Sequence, residues 1–281
     1  MEYTKLHNGI EMPMLGYGVY KIPDQKICER CVTEAIETGY RMIDTAAIYR
    51  NESAVGNAIK NSPIDRSELF ITSKIWVQDV NYESTRKAFE ATLKNLQLDY
   101  LDLYLIHQPV NDYYGAWRAM QELYHEGLIK AIGVSNFPND RLVDLSLFSD
   151  FSPMVNQIET HPYLQQEIPL QVMKKYHIVP QAWSPFARGE NNLFENQLLK
   201  SIGEKYGKSI SQVVLRWLIQ RGFVVIPKTI HQNRMKENMH IFNFELDTDD
   251  MELITTLDTG KTLFEDRQSV EYVLHKFGYK I

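Results

Sequence analysis

The sequence predicts an α/β fold of the (β/α)8 class, a TIM barrel with an N-terminal β-hairpin and a C-terminal tail over the barrel mouth. Three observations carry this expectation. Short β-rich runs recur at fairly even intervals, segments with apolar residues three and four apart lie between them, and the alternation persists along most of the 281 residues. Strand–helix alternation implies right-handed βαβ units and a parallel sheet. Eight such units at this length suit a closed barrel better than an open doubly wound sheet.

In chain order the runs are MLGYG (14–18), YRMID (40–44), LFITSK (69–74), LDLYLIH (101–107), AIGVS (131–135), MVNQIE (154–159), IVPQAW (178–183) and FVVIPK (223–228). Helical periodicity marks KICERCVTEAIET, STRKAFEATLKNL, GAWRAMQELYHEG and SQVVLRWLIQRG between them. Ahead of the first run, TKLHNGIEM carries Asn8-Gly9 between two β-like stretches, which predicts a type I′ hairpin able to plug the barrel's bottom. Beyond the eighth, a helical stretch near DTDDMELITTLD leads to the tail KTLFEDRQSVEYVLHKFGYKI, expected to fold back over the mouth. No linker, repeat array or low-complexity segment interrupts the pattern, so residues 1–281 read as one domain.

The composition, 44% hydrophobic and 23% charged, is that of a soluble globular protein. A formal net charge of -6 argues against nucleic acid or an anionic membrane surface as the main partner, since both attract a basic face. The N-terminal stretch has no basic-then-apolar leader, and no later run approaches the length of a membrane span, so the expected compartment is the cytoplasm. The two cysteines form a C-x-x-C, Cys28 and Cys31. Zinc needs four ligands and the sequence offers no second thiol pair and no nearby histidines at ligand spacing, so we read them as reduced cysteines on an amphipathic helix and expect no metal.

In such a barrel, functional groups lie at the C-terminal ends of strands and in the loops that follow. The second run ends in Asp44 and its loop carries Tyr49; the third ends in Lys74; the fourth ends in His107. Successive strands are neighbours, so these four side chains are expected to converge on one side of the mouth. A phenol is a weak acid at neutral pH, and a nearby ammonium lowers its pKa. Lys74 can be that cation. A lysine in a dry site tends to lose its proton, which an adjacent carboxylate opposes, and Asp44 can be that carboxylate. His107 would hydrogen-bond the oxygen that approaches Tyr49. The set suits a carbonyl becoming an alcohol. Taken singly, each residue reads more simply as a buried ion-pair member, a packed tyrosine or a satisfied histidine; four candidates on three successive units favour the chemical reading.

The run 39–46 (GYRMIDTA), followed by Tyr49-Arg50-Asn51-Glu52, resembles the signature of the aldo-keto reductases. Ile226-Pro227-Lys228-Thr229, with Arg234, Glu237 and Asn238 downstream, is similar to that family's cofactor motif, and IKAIGVSNF, VNQIETHPYLQQ and AWSPF match as well. The resemblance covers almost the whole chain, which looks most like bacterial members of the 2,5-diketo-gluconate reductase and glyoxal/methylglyoxal reductase type. It implies an NADPH-dependent oxidoreductase that reduces aldehydes and ketones, with Tyr49 as general acid, Lys74 and Asp44 tuning it, and His107 orienting the carbonyl. It also implies a cofactor groove. Ser135, Asn136 and Gln157 would bond the nicotinamide carboxamide, Trp183 would face its ring, and Ser184 would approach the pyrophosphate, with Gly18 in the same groove. Lys228, Thr229 and Arg234 would hold the 2′-phosphate, with Glu237 and Asn238 near the adenine. Tyr20 and Trp76 are the expected pocket walls. Gln108 and Phe186 depart from the family pattern and put the pocket's shape at issue.

The expected partner is a small carbonyl substrate, with no nucleic acid and no membrane, and the protein is expected to be a monomer. The alternative is a non-catalytic, nucleotide-binding relative acting as a regulatory subunit, against which the complete quartet argues. A Schiff-base use of Lys74 requires a neutral amine, which a paired Asp44 opposes.

Overall fold

The computed structural model describes residues 1–266 and 269–277. Two short strands, β1 (Tyr3–Lys5) and β2 (Glu11–Pro13), pair antiparallel. They form the expected hairpin with a different turn. Asn8 is not in the left-handed region that a type I′ turn demands of it; only Gly9 is, at φ 92°. The Gly9 amide donates to the Leu6 carbonyl and the Leu6 amide to Ile10, both at 2.8 Å. This is a three-residue loop closed by a left-handed glycine, and the Asn8 side chain reinforces it by accepting from the Ile10 amide at 3.2 Å.

Among the described residues, eight parallel strands then form one sheet: β3 (Tyr17–Gly18), β4 (Met42–Asp44), β5 (Phe70–Ile75), β6 (Leu101–Ile106), β7 (Ile129–Ser135), β8 (Val155–Glu159), β9 (Val179–Trp183) and β10 (Val224–Val225). Each falls within or overlaps one of the eight runs read from the sequence. Their sheet order is their chain order. The sheet closes on itself where the Gly16 amide donates to Val225 O at 2.8 Å, the Val225 amide to Met14 O at 2.9 Å and the Gly18 amide to Pro227 O at 3.1 Å. The seam is tight: a Cβ on Gly16 would come within 2.3 Å of Met42 Cε, so any larger residue there needs the buried Met42 side chain to shift.

Helices separate the strands: α1 (Gln25–Thr38), α2 (Glu52–Lys60), α3 (Tyr82–Leu96), α4 (Tyr113–His125), α5 (Asn139–Leu147), α6 (Glu167–Lys175), α7 (Gln197–Tyr206) and α8 (Ile210–Gln220); after β10 come α9 (Gln232–Met239), α10 (Thr248–Thr255) and α11 (Val270–Phe277). Local chemistry sets their ends. Asp24 caps α1 by accepting from the Ile27 amide at 2.9 Å, and Gly39, at φ 112°, stops it. Ser209 and Gln212 form a capping box at the start of α8.

The core fills the barrel and the sheet–helix layer, with Met42, Ile71, Leu103, Ile132, Val155 and Val225 among its fully buried members. Cys28 and Cys31 are free thiols on the inner face of α1. After α10 the chain crosses to the C-terminal ends of β8 and β9. There the Thr262 hydroxyl donates to Glu159 Oε2 at 2.8 Å, and Phe264 stacks on Trp183 with ring centroids 5.8 Å apart. The expected tail over the mouth is present to that extent; residues 267–268 and 278–281 lie outside the described residues. No helix among the described residues is long and apolar enough to cross a membrane, and no group of three or more His, Cys, Asp or Glu among them is placed to hold a metal ion.

Candidate active site

Strands β4, β5 and β6 are hydrogen-bonded neighbours, which brings the ends of three successive units together. Asp44 is the last residue of β4 and Lys74 the fifth of six in β5. His107 follows β6, its amide donating to Ile75 O at 3.2 Å. Side chains alternate across a strand, so Met42 and Asp44 share the face turned to the barrel interior. There Lys74 Nζ donates to Asp44 Oδ1 at 2.6 Å and to the Thr45 carbonyl at 2.9 Å. Lys74 is 0% exposed and Asp44 2%. The other carboxylate oxygen, Oδ2, accepts from Gln157 Nε2 at 2.8 Å, and the same nitrogen donates to Gln181 Oε1 at 2.7 Å. Burial pushes the Lys74 ammonium below its ordinary pKa, and Asp44, by charge and by hydrogen bond, restores part of the loss.

A short 3-10 turn, Ala47–Tyr49, carries the phenol one step beyond Asp44. The residues after it lock the loop. Asn51 accepts the Thr45 hydroxyl at 2.9 Å and donates to Val19 O at 3.0 Å and Ile22 O at 3.1 Å. Glu52 accepts from the Ser73 hydroxyl at 2.7 Å and from Asn95 at 3.1 Å. So held, the half-buried Tyr49 ring lies 5.1 Å from Lys74 Nζ and 5.7 Å from the His107 ring, edge to face at 80°. Tyr20 and Trp76, the expected walls, close the cluster: Tyr20 is 5.0 Å from Tyr49 and Trp76 is 5.0 Å from His107, ring to ring. The four strand-end candidates and both wall residues therefore share one place.

A second group lies at the ends of β7 to β9. Asn136, in the left-handed region at φ 61°, donates to the His107 carbonyl and to Ser135 Oγ, both at 3.0 Å. Ser135 Oγ donates to Gln157 O at 2.9 Å, and the half-exposed Trp183 donates through Nε1 to Asn136 Oδ1 at 2.9 Å. Ser184 follows at φ 51°. Ser135, Asn136, Gln157 and Trp183 thus form one network that is joined, through Gln157 and Asn136, to Asp44 and His107.

The third group surrounds the end of β10. Lys228 and Arg234 are exposed, with no carboxylate within 4.0 Å among the described residues. Thr229 is 7% exposed and its hydroxyl accepts from the His231 amide at 3.2 Å. The N-cap residue of α9, His231, makes no side-chain cap bond. Two free cations beside an uncapped helix N-terminus fit a phosphate, which is the group the expected cofactor would bring there. Gly18 lies in the seam, where a Cβ would meet Ile226 O at 3.2 Å. Glu237 accepts from the Ser209 hydroxyl and so ties α9 to α8, and Asn238 is 3% exposed.

Three participants escaped the sequence reading. Gln181 lies mid-strand, where only the closed barrel shows which face is interior. Glu159 is the last residue of β8, so the strand-end rule that found Asp44 would have found it too. Arg188 sits in the loop after β9, and nothing in the sequence says which way it turns.

A model for the Aldo/keto reductase family matches residues 14–259. The glyoxal reductase of Bacillus subtilis (strain 168) is 51% identical over 256 residues, which cover 91% of this chain and 92% of that protein. The methylglyoxal reductase DkgA of Escherichia coli (strain K12) is 43% identical, covering 93% of this chain and 95% of the relative. Among solved structures, the Bombyx mori aldo-keto reductase in complex with NADP is 32% identical with a TM-score of 0.90, over 94% of this chain and 95% of that one.

Proposed function

The chain belongs to the aldo/keto reductase family, and from that premise we propose that it reduces aldehydes and ketones, small dicarbonyls such as glyoxal and methylglyoxal foremost, with NADPH as the electron donor. One observation carries the reading. Lys74 Nζ, fully buried, is 2.6 Å from Asp44 Oδ1 and 5.1 Å from the Tyr49 ring, which also meets His107.

In this reading Tyr49 donates its hydroxyl proton to the substrate oxygen. Lys74 stabilises the phenolate that remains, and Asp44 holds the ammonium charged against the cost of burial. His107 orients the carbonyl and stabilises negative charge as it develops on the oxygen. Ser135, Asn136 and Gln157 would hold the nicotinamide carboxamide beside Trp183, and Ser184 would approach the pyrophosphate. Lys228, Thr229 and Arg234 would hold the 2′-phosphate, with Gly18, Glu237 and Asn238 lining the rest of the groove. When bound, the nicotinamide supplies hydride to the carbonyl carbon. The Tyr20 and Trp76 rings would shield that carbon from water. Glyoxal and methylglyoxal enter the proposal because the two bacterial relatives are named for them.

Steady-state NADPH consumption with glyoxal, methylglyoxal and an aromatic aldehyde tests the reading. Turnover of at least one is expected. NADPH binding without turnover of any aldehyde, ketone or keto-sugar would favour the non-catalytic, nucleotide-binding alternative.

A further inference from the structure

The loop after β9 runs through an unusual backbone. Ser184, Ala187, Arg188, Asn191 and Asn192 all lie in the left-handed region, at φ between 48° and 54°. Residues other than glycine and asparagine are crowded in that region, so the conformation at Ser184, Ala187 and Arg188 has to be held by its surroundings. It is: the Ala187 amide donates to Ser184 O and the Gly189 amide to Phe186 O, both at 2.8 Å, and the Tyr163 hydroxyl donates to Asn191 O at 3.2 Å.

The result of this turn is the placement of Arg188. Its guanidinium carbon lies 3.9 Å from the centre of the Phe264 ring, 6.0 Å from Trp183 and 5.6 Å from Tyr20. Phe264 is itself fixed, because Glu159 accepts from the Thr262 hydroxyl at 2.8 Å and from the Leu263 amide at 3.4 Å. Three aromatic rings therefore orient the guanidinium, yet among the described residues it has no carboxylate within 4.0 Å and no hydrogen-bond partner. Lys21 adds a second positive charge near the same wall, 5.9 Å from the Tyr20 ring. Two cations at the mouth stand out on a chain of net charge -6. The Tyr20 ring lies 5.0 Å from the Tyr49 ring and 5.6 Å from the guanidinium, so the phenol and the cation border the same wall of the mouth.

We propose that Arg188 is a specificity-determining residue that receives an anionic group of the substrate, so that carbonyl compounds bearing a carboxylate across a ring or short chain from the reacting carbon are favoured over neutral ones of the same shape. Stacking on Phe264 leaves the N–H edge of the fork free for bidentate binding, and charge-assisted bonds of this kind are among the stronger polar contacts. The inference rests on the carbonyl-reductase reading given above and narrows its substrate class.

The test compares 4-carboxybenzaldehyde with its neutral methyl ester in wild type, Arg188→Gln and Arg188→Lys, first with NADPH saturating and then with NADPH varied at fixed aldehyde. The wild type is expected to have the lower KM for the acid. Arg188→Gln should lower the acid-to-ester ratio of kcat/KM about five- to tenfold, mainly through KM, with Arg188→Lys restoring part of it. Added salt should erode the ratio in the wild type and leave it flat in Arg188→Gln. An unchanged ratio overturns the proposal. So does a rise in KM for NADPH that appears equally with both aldehydes, which would assign the guanidinium to the cofactor's pyrophosphate. If the wild type reduces neither compound, turnover of glyoxal and methylglyoxal decides the carbonyl-reductase reading separately, and tryptophan quenching by 4-carboxybenzaldehyde decides the Arg188 site, which stands if binding depends on the guanidinium and falls if it does not.

Discussion

Strand β5 borders two carboxylate–cation pairs, one near each end of the barrel, supplying Lys74 to one and the Ile71 amide to the other, and they are built differently. At the mouth, Asp44 spends both oxygens on side chains, Lys74 and Gln157, and the lysine's other side faces the Tyr49 ring. At the opposite end, Asp102, the second residue of β6, accepts from the Ile71 amide at 2.8 Å and from Arg66 at 2.6 Å, while Arg66 also donates to the carbonyls of Leu69 at 2.7 Å and Tyr100 at 3.1 Å. The lower pair ties together three backbone groups, at Leu69, Ile71 and Tyr100, whereas the upper pair holds one, the Thr45 carbonyl, and otherwise side chains around a phenol. What the remaining hydrogen bonds hold, rather than the presence of opposite charges, is what distinguishes the pair we propose to act in chemistry from the one at the far end.

The largest expected effect is at the mouth. Tyr49→Phe should lower kcat by about 10²- to 10⁴-fold while the melting temperature and NADPH binding stay near wild type, since only the acid is removed. Rapid-mixing and steady-state rates with a calorimetric scan would read both sides; wild-type turnover would remove Tyr49 from its role. Arg66→Gln should do the reverse, costing about 3 kcal/mol of stability in a urea melt with kcat/KM unchanged. A fall in kcat/KM without loss of stability would erase the distinction between the two ends.

The lower pair also has a pH signature. Burial pushes the Asp102 carboxyl up from its ordinary value of 3.8, with the Arg66 charge and the Ile71 amide pulling it back. The folded chain thus keeps this proton at a pH where the unfolded chain has released it. Its contribution to stability is full below the ordinary value and is lost as pH rises through the folded one. Without Arg66 the folded value climbs further, so Arg66→Gln should lose stability relative to wild type from about pH 4 towards neutrality, and a parallel profile would contradict the assignment.

A third region sharpens the comparison. Lys228 and Arg234 have no partner carboxylate among the described residues, so neutralising either should leave stability near wild type and raise KM for NADPH about tenfold more than for NADH. The smallest effect concerns the thiols. Burial pushes the Cys28 thiol up to about 12, with the Cys31 charge adding to the shift, so a thiol reagent at neutral pH should label it only as fast as the chain opens.

The strands and the quartet were legible because a parallel barrel writes itself as evenly spaced apolar runs and puts chemistry at their last residues. The hairpin was legible but its turn was not, since Asn8-Gly9 satisfies two loop lengths and hydrogen bonds at Leu6 and Ile10 select between them. The strongly periodic α1, α3, α4 and α8 stood out; α2, α5 and α6, nine residues each, carry too few turns for periodicity to single them out. The Asp44–Gln157–Gln181 chain was illegible because its members lie more than a hundred residues apart or mid-strand, where only closure makes them neighbours. Arg188 was illegible for another reason: its direction depends on backbone angles that no residue type in that loop demands.

The seam where Gly16 and Gly18 meet Val225 and Pro227 joins two ends of the chain separated by some two hundred residues. During synthesis the seven strands β3 to β9 therefore precede the one that closes them, their sheet open with both margins unsatisfied, and closure waits until β10 leaves the ribosome. Nascent chains of this protein should depend on protection from self-association until that moment, after which the closed eight-stranded sheet offers no free margin among the described residues.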